Sequence, residues 1–340
     1  LLPGTDGALA GAVAHVLLTE GLWSKEFVGD FKDGRNQFVA GRAVDEASFA
    51  EKETNGVVKW WNLEVKDRTP AWAEKECGVP AAQIVRAARA MGKAAQFPLH
   101  GWRPDAMEGP TPVAALIHAA TMVNAGVYLM CRIYPLLEQS PEALVIIAAV
   151  GLTTAVYAAF SALGQTDIKR VLAYSTVSQI GYMFVAVGSG MYAAGIFHLV
   201  THGIFKGLLF LGAGAVIHAM NGEQEMNRMG GLFREIPATA ATFIIGLLAL
   251  AGIFPLAGFF SKDAILWGSF ERFGTGFWLL AFAGALITAL YCGKLFGRFF
   301  GEKRHEGHLH RPSLIMIVPL AILAAGSVVA HDHITGHSRI

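Results

Sequence analysis

The sequence has few charged residues, almost no net charge and only three cysteines. Charged residues make up 16% of the 340 and hydrophobic residues 54%, and 27 lysines plus arginines against 26 acids leave a net charge of +1. This balance excludes the basic surface of a nucleic-acid-binding protein. Cys77, Cys131 and Cys292 are far apart and follow no CxxC or Cys/His spacing. We therefore expect no disulfide framework, zinc site or iron–sulfur cluster, and no cofactor on this chain.

The few charges are unevenly distributed along the chain. The first 92 residues contain 24 of the 53 charged residues, and the other 248 contain 29. The first density is typical of soluble proteins and the second of membrane proteins. We therefore predict a soluble segment at 1–91, a membrane domain at 92–330 and a polar tail at 331–340. The start, Leu1-Leu2-Pro3-Gly4, has no basic region before an apolar stretch, so no signal peptide is expected.

The soluble segment is predicted to be mainly helical. Apolar side chains recur at helical spacing in 7–20, and Thr69-Pro70 and the stretch 80–91 indicate two further short amphipathic helices. Between them, 32–59 is charged and rich in glycine, which is typical of a loop region.

The rest of the chain is predicted to form an all-α transmembrane helix bundle. Apolar stretches of bilayer length follow one another, and Pro255, flanked by glycines, indicates a discontinuous helix. Lysines and arginines lie in loops on both sides, so the membrane orientation stays open. The expected spans, about seven, are 112–131, 143–164, 171–188, 191–220, 238–260, 277–300 and 313–330.

The ionisable residues inside these spans are candidate functional groups, because a charge facing lipid is costly. His198, His202 and Lys206 recur every four residues and so share one helix face. His118 lies in the middle of another span. Imidazole and a desolvated amine can both exchange protons near neutral pH, so such a row can pass protons. The alternative is that the histidines only bond across helices, but three members on one stripe favour a proton path.

Two lysines lie where helices are expected to break. Lys262 follows the stretch around Pro255, and Lys93 precedes Gln96-Phe97-Pro98. Discontinuous helices often carry ion sites in transporters, whereas the alternative is a lysine that reaches the membrane surface.

The histidines at 305, 308 and 310 lie in a polar loop. They could hold a metal, but a solvated loop is the favoured interpretation and we predict no metal site.

Several long motifs follow one another from residue 93 to residue 263. They are Lys93-Ala94-Ala95-Gln96-Phe97-Pro98-Leu99-His100, Pro104-Asp105-Ala106-Met107-Glu108-Gly109-Pro110, Leu116-Ile117-His118-Ala119, Asp167-Ile168-Lys169-Arg170, Ser178-Gln179-Ile180-Gly181-Tyr182, Phe197-His198 with His202 and Lys206, Met229-Gly230-Gly231-Leu232, and Gly258-Phe259-Phe260-Ser261-Lys262-Asp263. In this order they resemble the antiporter-like chain L, or chain 5, of proton-pumping NADH:quinone oxidoreductase, over about 92–330.

The resemblance implies a proton-translocating subunit built around a central hydrophilic axis. The residues that match that axis are Lys93, His118, Lys169, His198 and His202. Lys206 would carry the path on, and Lys262 would lie on the exit-side broken helix. Redox chemistry would take place on other membrane-complex subunits, which are the implied partners together with the bilayer. The implied location is the inner membrane of a prokaryote.

The sequence departs from that family before Lys93. No buried glutamate precedes this lysine, and the helix leading to it contains Arg86 and Arg89, which do not suit the apolar half of a broken membrane helix. The polar end after residue 330 also comes early for the family. We therefore expect the proton-uptake half-channel to be absent and the chain by itself not to pump.

The first 91 residues carry a second resemblance. The matching pieces are Pro3-Gly4-Thr5-Asp6-Gly7, Glu20-Gly21-Leu22-Trp23, Thr69-Pro70-Ala71-Trp72 and Gly78-Val79-Pro80. They resemble the molybdopterin oxidoreductase family, in which the first helix lies near the pterin cofactor. The cysteine cluster and the metal-ligand context of that family are missing, so we expect this segment to pack without binding a cofactor.

The sequence is also compatible with other functions. A multisubunit cation/proton antiporter or a membrane-bound hydrogenase shares the same motifs as chain L. A membrane-anchored molybdopterin oxidoreductase fragment and a non-functional fusion are the two remaining alternatives.

Overall fold

The computed structural model describes residues 6–20, 31–32, 35–36, 65–97, 107, 111–119, 123–302 and 309–330. It divides the chain into two compact units, Leu1–Asp105 and Ala106–Ile340. The predicted boundary at residue 91 stays a prediction, and the tail at 331–340 lies outside the described residues.

The described part of the first unit consists of three helices and one pair of short strands. The three predicted helices are present. The loop expected at 32–59 is wrong at its start, where Phe31 pairs with Asn36 and Lys32 with Arg35 in antiparallel register. The rest of that stretch lies outside the described residues. The elements are α1 (Asp6–Thr19), β1 (Phe31–Lys32), β2 (Arg35–Asn36), α2 (Pro70–Cys77) and α3 (Ala81–Lys93).

Helix α2 has the ends that its sequence predicts. The Thr69 hydroxyl accepts a hydrogen bond of 3.2 Å from the amide of Trp72, and Pro70 occupies the first turn, where its missing N–H has no cost. Gly78 ends the helix with φ 72°, a conformation that favours glycine.

The helices of the first unit are held by a small apolar core and one ion pair. Ala12, Ala73, Cys77 and Ile84 are buried together. The guanidinium of Arg89 donates two hydrogen bonds of 2.8 Å to the carboxylate of Glu20, so α3 is joined to the end of α1.

The second unit is a helix bundle. Four of its helices, α7, α8, α9 and α12, are long and apolar enough to cross a membrane, and two shorter ones, α11 and α13, are also apolar. The described helices are α4 (Thr111–Ala119), α5 (Ala125–Arg132), α6 (Tyr134–Leu137), α7 (Pro141–Gly164), α8 (Ile168–Gly188), α9 (Tyr192–Ala219), α10 (Leu232–Glu235), α11 (Pro237–Ala251), α12 (Ala257–Phe300) and α13 (Leu314–Val329).

The expected span at 112–131 is wrong as a single helix. Helix α4 ends at Ala119 and α5 begins at Ala125. The side-chain amide of Asn124 donates a hydrogen bond of 2.9 Å to the carbonyl of Ala119 at the end of α4.

The expected span at 238–260 is also two helices. Helix α11 ends before Gly252, which has φ 78°, and α12 begins at Ala257. The predicted discontinuity near Pro255 is therefore confirmed. The span expected at 277–300 is the second part of α12, because Gly274 leaves the helical conformation with φ 78° and ψ −174°.

Helix α8 is buried on nearly all sides and packs closely on α7. A Cβ atom added to Gly181 would come within 2.6 Å of the Gly151 carbonyl oxygen, and one added to Gly188 within 2.5 Å of the amide nitrogen of Ala148. The Ser178 hydroxyl donates a hydrogen bond of 2.8 Å to the carbonyl of Ala155. Small residues therefore let the two backbones touch, as is common between membrane helices.

Candidate functional site

The predicted stripe on α9 is completely buried. His198, His202 and Lys206 are each 0% exposed. The two imidazole rings lie 6.2 Å apart between centroids, and the ring of Phe205 packs against both, at 6.3 and 5.4 Å. Helical spacing thus places three groups that can carry a proton on one inward face.

Lys206 joins this stripe to α8. Its ammonium donates a hydrogen bond to the hydroxyl of Ser175 and lies 3.4 Å from the carbonyl oxygen of Leu172. The Ser175 hydroxyl in turn donates to the Leu172 carbonyl at 2.9 Å. The buried amine is therefore surrounded by the oxygen atoms of a neighbouring helix, which lowers the cost of carrying a charge there.

His198 joins the stripe to the start of α12. Its Nδ1 lies 2.9 Å from the hydroxyl of Ser261, and the hydroxyl of Thr201 donates to the same oxygen at 3.0 Å. Ser261 is the residue before Lys262. The stripe on α9 therefore meets the broken helix through one serine.

Lys262 lies on α12 just after the break and is 4% exposed. Its ammonium donates a hydrogen bond of 2.9 Å to the carbonyl of Leu250, near the end of α11. It also lies 5.9 Å from the centre of the Tyr182 ring, on the ring face. Both contacts stabilise a cation, the first through a carbonyl dipole and the second through the ring quadrupole.

The other three predicted site residues lie on three other helices, α4, α8 and α3. His118 on α4 is fully buried and stacks on Phe210 at 5.1 Å. Lys169, in the first turn of α8, is 6% exposed. Lys93 is the last residue of α3 in the first unit, and its side chain lies outside the described residues.

Sequence reasoning missed the hydroxyl groups that connect the stripe to other helices. Ser175 and Ser261 are both fully buried. Fully buried too are Tyr182, Tyr291 and Gln179. A signal for part of this set was present, because Ser175, Thr176, Ser178 and Gln179 lie close together inside a helix of bilayer length.

The described residues contain no group of three or more metal-ligating side chains. The histidines at 305 and 308 lie outside that part of the chain, so the interpretation of this loop stays a prediction. What the described site offers is a set of buried groups able to hold and release protons, connected by hydroxyl groups.

The comparisons define the class of protein. A family model described as NADH:quinone oxidoreductase/Mrp antiporter, transmembrane, matches residues 66–288. The chain belongs to this family of antiporter-like membrane proteins, in agreement with the helix bundle and its buried lysines and histidines.

Relatives within that family are named as subunit L or chain 5 of quinone oxidoreductases. The chain is 52% identical over 258 residues to NADH-quinone oxidoreductase subunit L of Rhodobacter capsulatus, covering 71% of this chain and 36% of the relative. It is 52% identical over 242 residues to the same subunit of Campylobacter jejuni, covering 71% and 41%. Over 270 residues it is 48% identical to NAD(P)H-quinone oxidoreductase chain 5 of a Picosynechococcus species, covering 70% and 40%. The predicted resemblance to antiporter-like chain L is confirmed.

A solved structure is similar as well. The Mrp complex from Dietzia sp. DQ12-45-1b matches with a TM-score of 0.66 and 32% identity, over 76% of this chain and 29% of that one.

This chain spans well under half the length of the curated relatives reported above. The resemblance of 1–91 to molybdopterin oxidoreductases has no support in these matches and stays a prediction.

Proposed function

We propose that the chain is a membrane-arm subunit of a respiratory NADH:quinone oxidoreductase that moves protons along its buried lysines and histidines. The observation that carries this proposal is the fully buried stripe on α9, connected at one end to α8 by Lys206 and at the other to α12 by His198. Lipid-buried ionisable groups of this kind are kept in membrane proteins for transport rather than stability.

The proposed path uses the seven residues that the family resemblance assigns to proton translocation. Its central axis is assigned to Lys93, His118, Lys169, His198 and His202. Lys206 carries protons on, and Lys262 releases them beside the break between α11 and α12. A positive charge on one amine disfavours protonation of the next through Coulomb repulsion in a medium of low dielectric constant. Protons therefore advance step by step.

The proposed partners are the other membrane subunits of the complex, and the proposed location is the inner membrane of a prokaryote. The names of the relatives support this, because they describe subunits of quinone oxidoreductases. Electron transfer would take place on those partners. The chain itself would hold no cofactor, and residues 1–91 would form a separate segment with no redox role.

A second function is supported by the similarity to the Mrp complex. In that case the same residues would exchange a cation for protons. Proton flux that requires a sodium or potassium gradient and ignores the membrane potential would favour this alternative.

The test is proton pumping by the intact NADH:quinone oxidoreductase that contains this chain, reconstituted in liposomes with a pH-sensitive dye and driven by NADH and quinone. We expect Lys206→Ala and Lys262→Ala each to lower pumping about tenfold or more. Undiminished pumping in both variants would overturn the proposal.

A further inference from the structure

A single serine on α12 holds the first histidine of the α9 stripe. Ser261 is 0% exposed and lies one residue before Lys262. Its oxygen lies 2.9 Å from Nδ1 of His198, across the contact between the two helices. The other ring nitrogen of His198, Nε2, is buried and completes no hydrogen bond within the described part of the chain. The protein therefore binds this imidazole at one nitrogen.

The Ser261 oxygen has further partners on both helices. The hydroxyl of Thr201 on α9 donates to it at 3.0 Å, and the alternative acceptor for Thr201, the carbonyl of His198, is farther away at 3.2 Å. In its own helix, the Ser261 hydroxyl donates to the carbonyl of Ala257 at 3.1 Å, and the carbonyl of Gly258 lies 3.4 Å away.

These contacts determine which nitrogen of the neutral ring carries the proton. A hydroxyl has one proton to donate and two lone pairs that accept, whereas a carbonyl only accepts. The proton of Ser261 therefore goes to the Ala257 carbonyl, and its two other partners donate to its oxygen. One donor is the hydroxyl of Thr201, and the other is Nδ1–H of His198. The neutral imidazole then has its proton on Nδ1 and a lone pair on Nε2.

Burial keeps the ring in this orientation. His198 is 0% exposed, so bulk water cannot replace a lost partner at Nδ1. A buried polar group without a partner costs about 1 to 3 kcal/mol, which favours the arrangement with Nδ1–H on Ser261. Nε2 is thereby left as the atom of His198 that can take up a proton.

We propose that Ser261 is a positioning residue that fixes the tautomer and direction of the His198 ring for proton transfer at Nε2. This inference rests on the proposed proton translocation. A proton that reaches Nε2 converts the neutral ring to an imidazolium, and its departure from Nε2 restores the neutral ring with Nδ1–H. Ser261 keeps its own proton throughout, and Nδ1–H donates to its oxygen in both states.

The test is proton pumping by the intact NADH:quinone oxidoreductase that contains this chain, driven by NADH and quinone. We expect Ser261→Ala to lower pumping per assembled complex about threefold or more, because the ring can then turn and change its tautomer. Ser269→Ala is the matched control. Ser269 is also fully buried on α12, but its hydroxyl donates to its own helix, to the carbonyl of Leu266 at 2.8 Å. The control should keep its pumping.

Two further variants separate hydrogen bonding from packing. Ser261→Thr keeps the hydroxyl and should retain most of the pumping. Ser261→Cys fills nearly the same volume, but sulfur is a weak hydrogen-bond acceptor, so pumping should fall as in Ser261→Ala. Equal pumping in the Thr and Cys variants would overturn the role of the hydroxyl. This comparison also decides the outcome if Ser261→Ala fails to assemble into the complex.

The outcomes of the inference and of the proposed function are distinguishable. Normal pumping in Ser261→Ala, with pumping lost in Lys206→Ala, overturns the role of Ser261 and leaves the proposed function standing. Undiminished pumping in both Lys206→Ala and Lys262→Ala overturns both.

Discussion

The ammonium of Lys262 donates a hydrogen bond of 2.9 Å to the carbonyl of Leu250, twelve residues earlier and across the break between two helices. Helix α11 ends at Ala251, and the last carbonyl groups of a helix lack the partners that a following turn would supply. The lysine proposed to release protons therefore also completes the backbone hydrogen bonding of the break. Loss of its proton would weaken the same contact, which couples charge at this position to the local structure.

Removal of this amine is expected to destabilise the break. In Lys262→Met the Leu250 carbonyl loses its partner in a buried environment, and the free energy of unfolding should fall by about 1 to 3 kcal/mol. Unfolding in detergent, followed by tryptophan fluorescence, measures the change. Lys262→Arg retains a donor and serves as the control. Equal stability of the Met variant and the unaltered chain would contradict the prediction.

Lys294 is expected to be a structural lysine rather than a transport residue. Its ammonium donates hydrogen bonds of 2.8 Å to the carbonyl of Leu163 and 2.7 Å to that of Gln165, which ties α12 to the end of α7. We expect Lys294→Met to lower the free energy of unfolding by about 1 to 3 kcal/mol. Proton pumping per assembled complex should stay unchanged, in contrast to Lys206→Ala. A selective loss of pumping at normal stability would place Lys294 in the path instead.

The contact between α7 and α8 should tolerate no added side chain at Gly181. A Cβ atom there would lie 2.6 Å from both the Gly151 carbonyl oxygen and the Ala155 amide nitrogen, so Gly181→Ala forces the two backbones apart. We expect a loss of about 1 to 3 kcal/mol in the free energy of unfolding.

Gly293→Ala is the matched control for Gly181→Ala. This glycine is also inside a helix, but nothing lies within 4 Å of the added atom. The same substitution should there leave stability unchanged or raise it by up to about 1 kcal/mol, because alanine is the better helix former. Similar effects of the two substitutions would argue against the close contact.

The loop after α9 should contribute a pH-dependent part of the stability. Backbone hydrogen bonds, chiefly from the amide of Glu225, and the guanidinium of Arg228 at 3.2 Å hold the pKa of Glu223 below its ordinary 4.5. Because the folded-state pKa is lowered, the stabilisation is complete above pH 4.5 and is lost as the pH falls through the folded-state value.

The measurement for this loop is thermal unfolding at pH 7 and at pH 4 and below. Glu223→Gln removes the titrating carboxyl, so the unaltered chain should lose more stability on acidification than the variant. The difference is expected to be small, because Glu223 and Arg228 are both partly exposed. An identical acid response in both chains would contradict the prediction.

The long helices of the bundle could be predicted from sequence because length and apolarity are local properties. The break near Pro255 was predictable for the same reason, since proline and glycine change the backbone where they stand. The break before Asn124 could not be predicted, because Asn124 itself lies in an apolar stretch of bilayer length. A separate span from residue 277 was expected, but the interruption was not assigned to Gly274, since a single glycine is tolerated inside many helices.

The stripe His198, His202 and Lys206 was predictable because helical spacing alone places it on one face. Its contacts with Ser175 and Ser261 were not, because they join residues 31 and 63 positions apart. A serine in an apolar helix more often bonds its own backbone, so residue type did not separate these two hydroxyls from the others. The positions of partners on other helices depend on packing, which the sequence pattern does not specify.

Helix α8 has a consequence for how the protein is made. Its side chains are buried on nearly all sides, and it is the least apolar of the four long helices. Lipid offers no partner to its serines, glutamine and lysine, so this segment would be a poor candidate for independent release from the insertion machinery. Helix α7, synthesised just before it, presents Ala148, Gly151 and Ala155, the small residues against which α8 packs. The two are therefore expected to leave the translocon as a pair, and a substitution at that surface would impair biogenesis before it impairs transport.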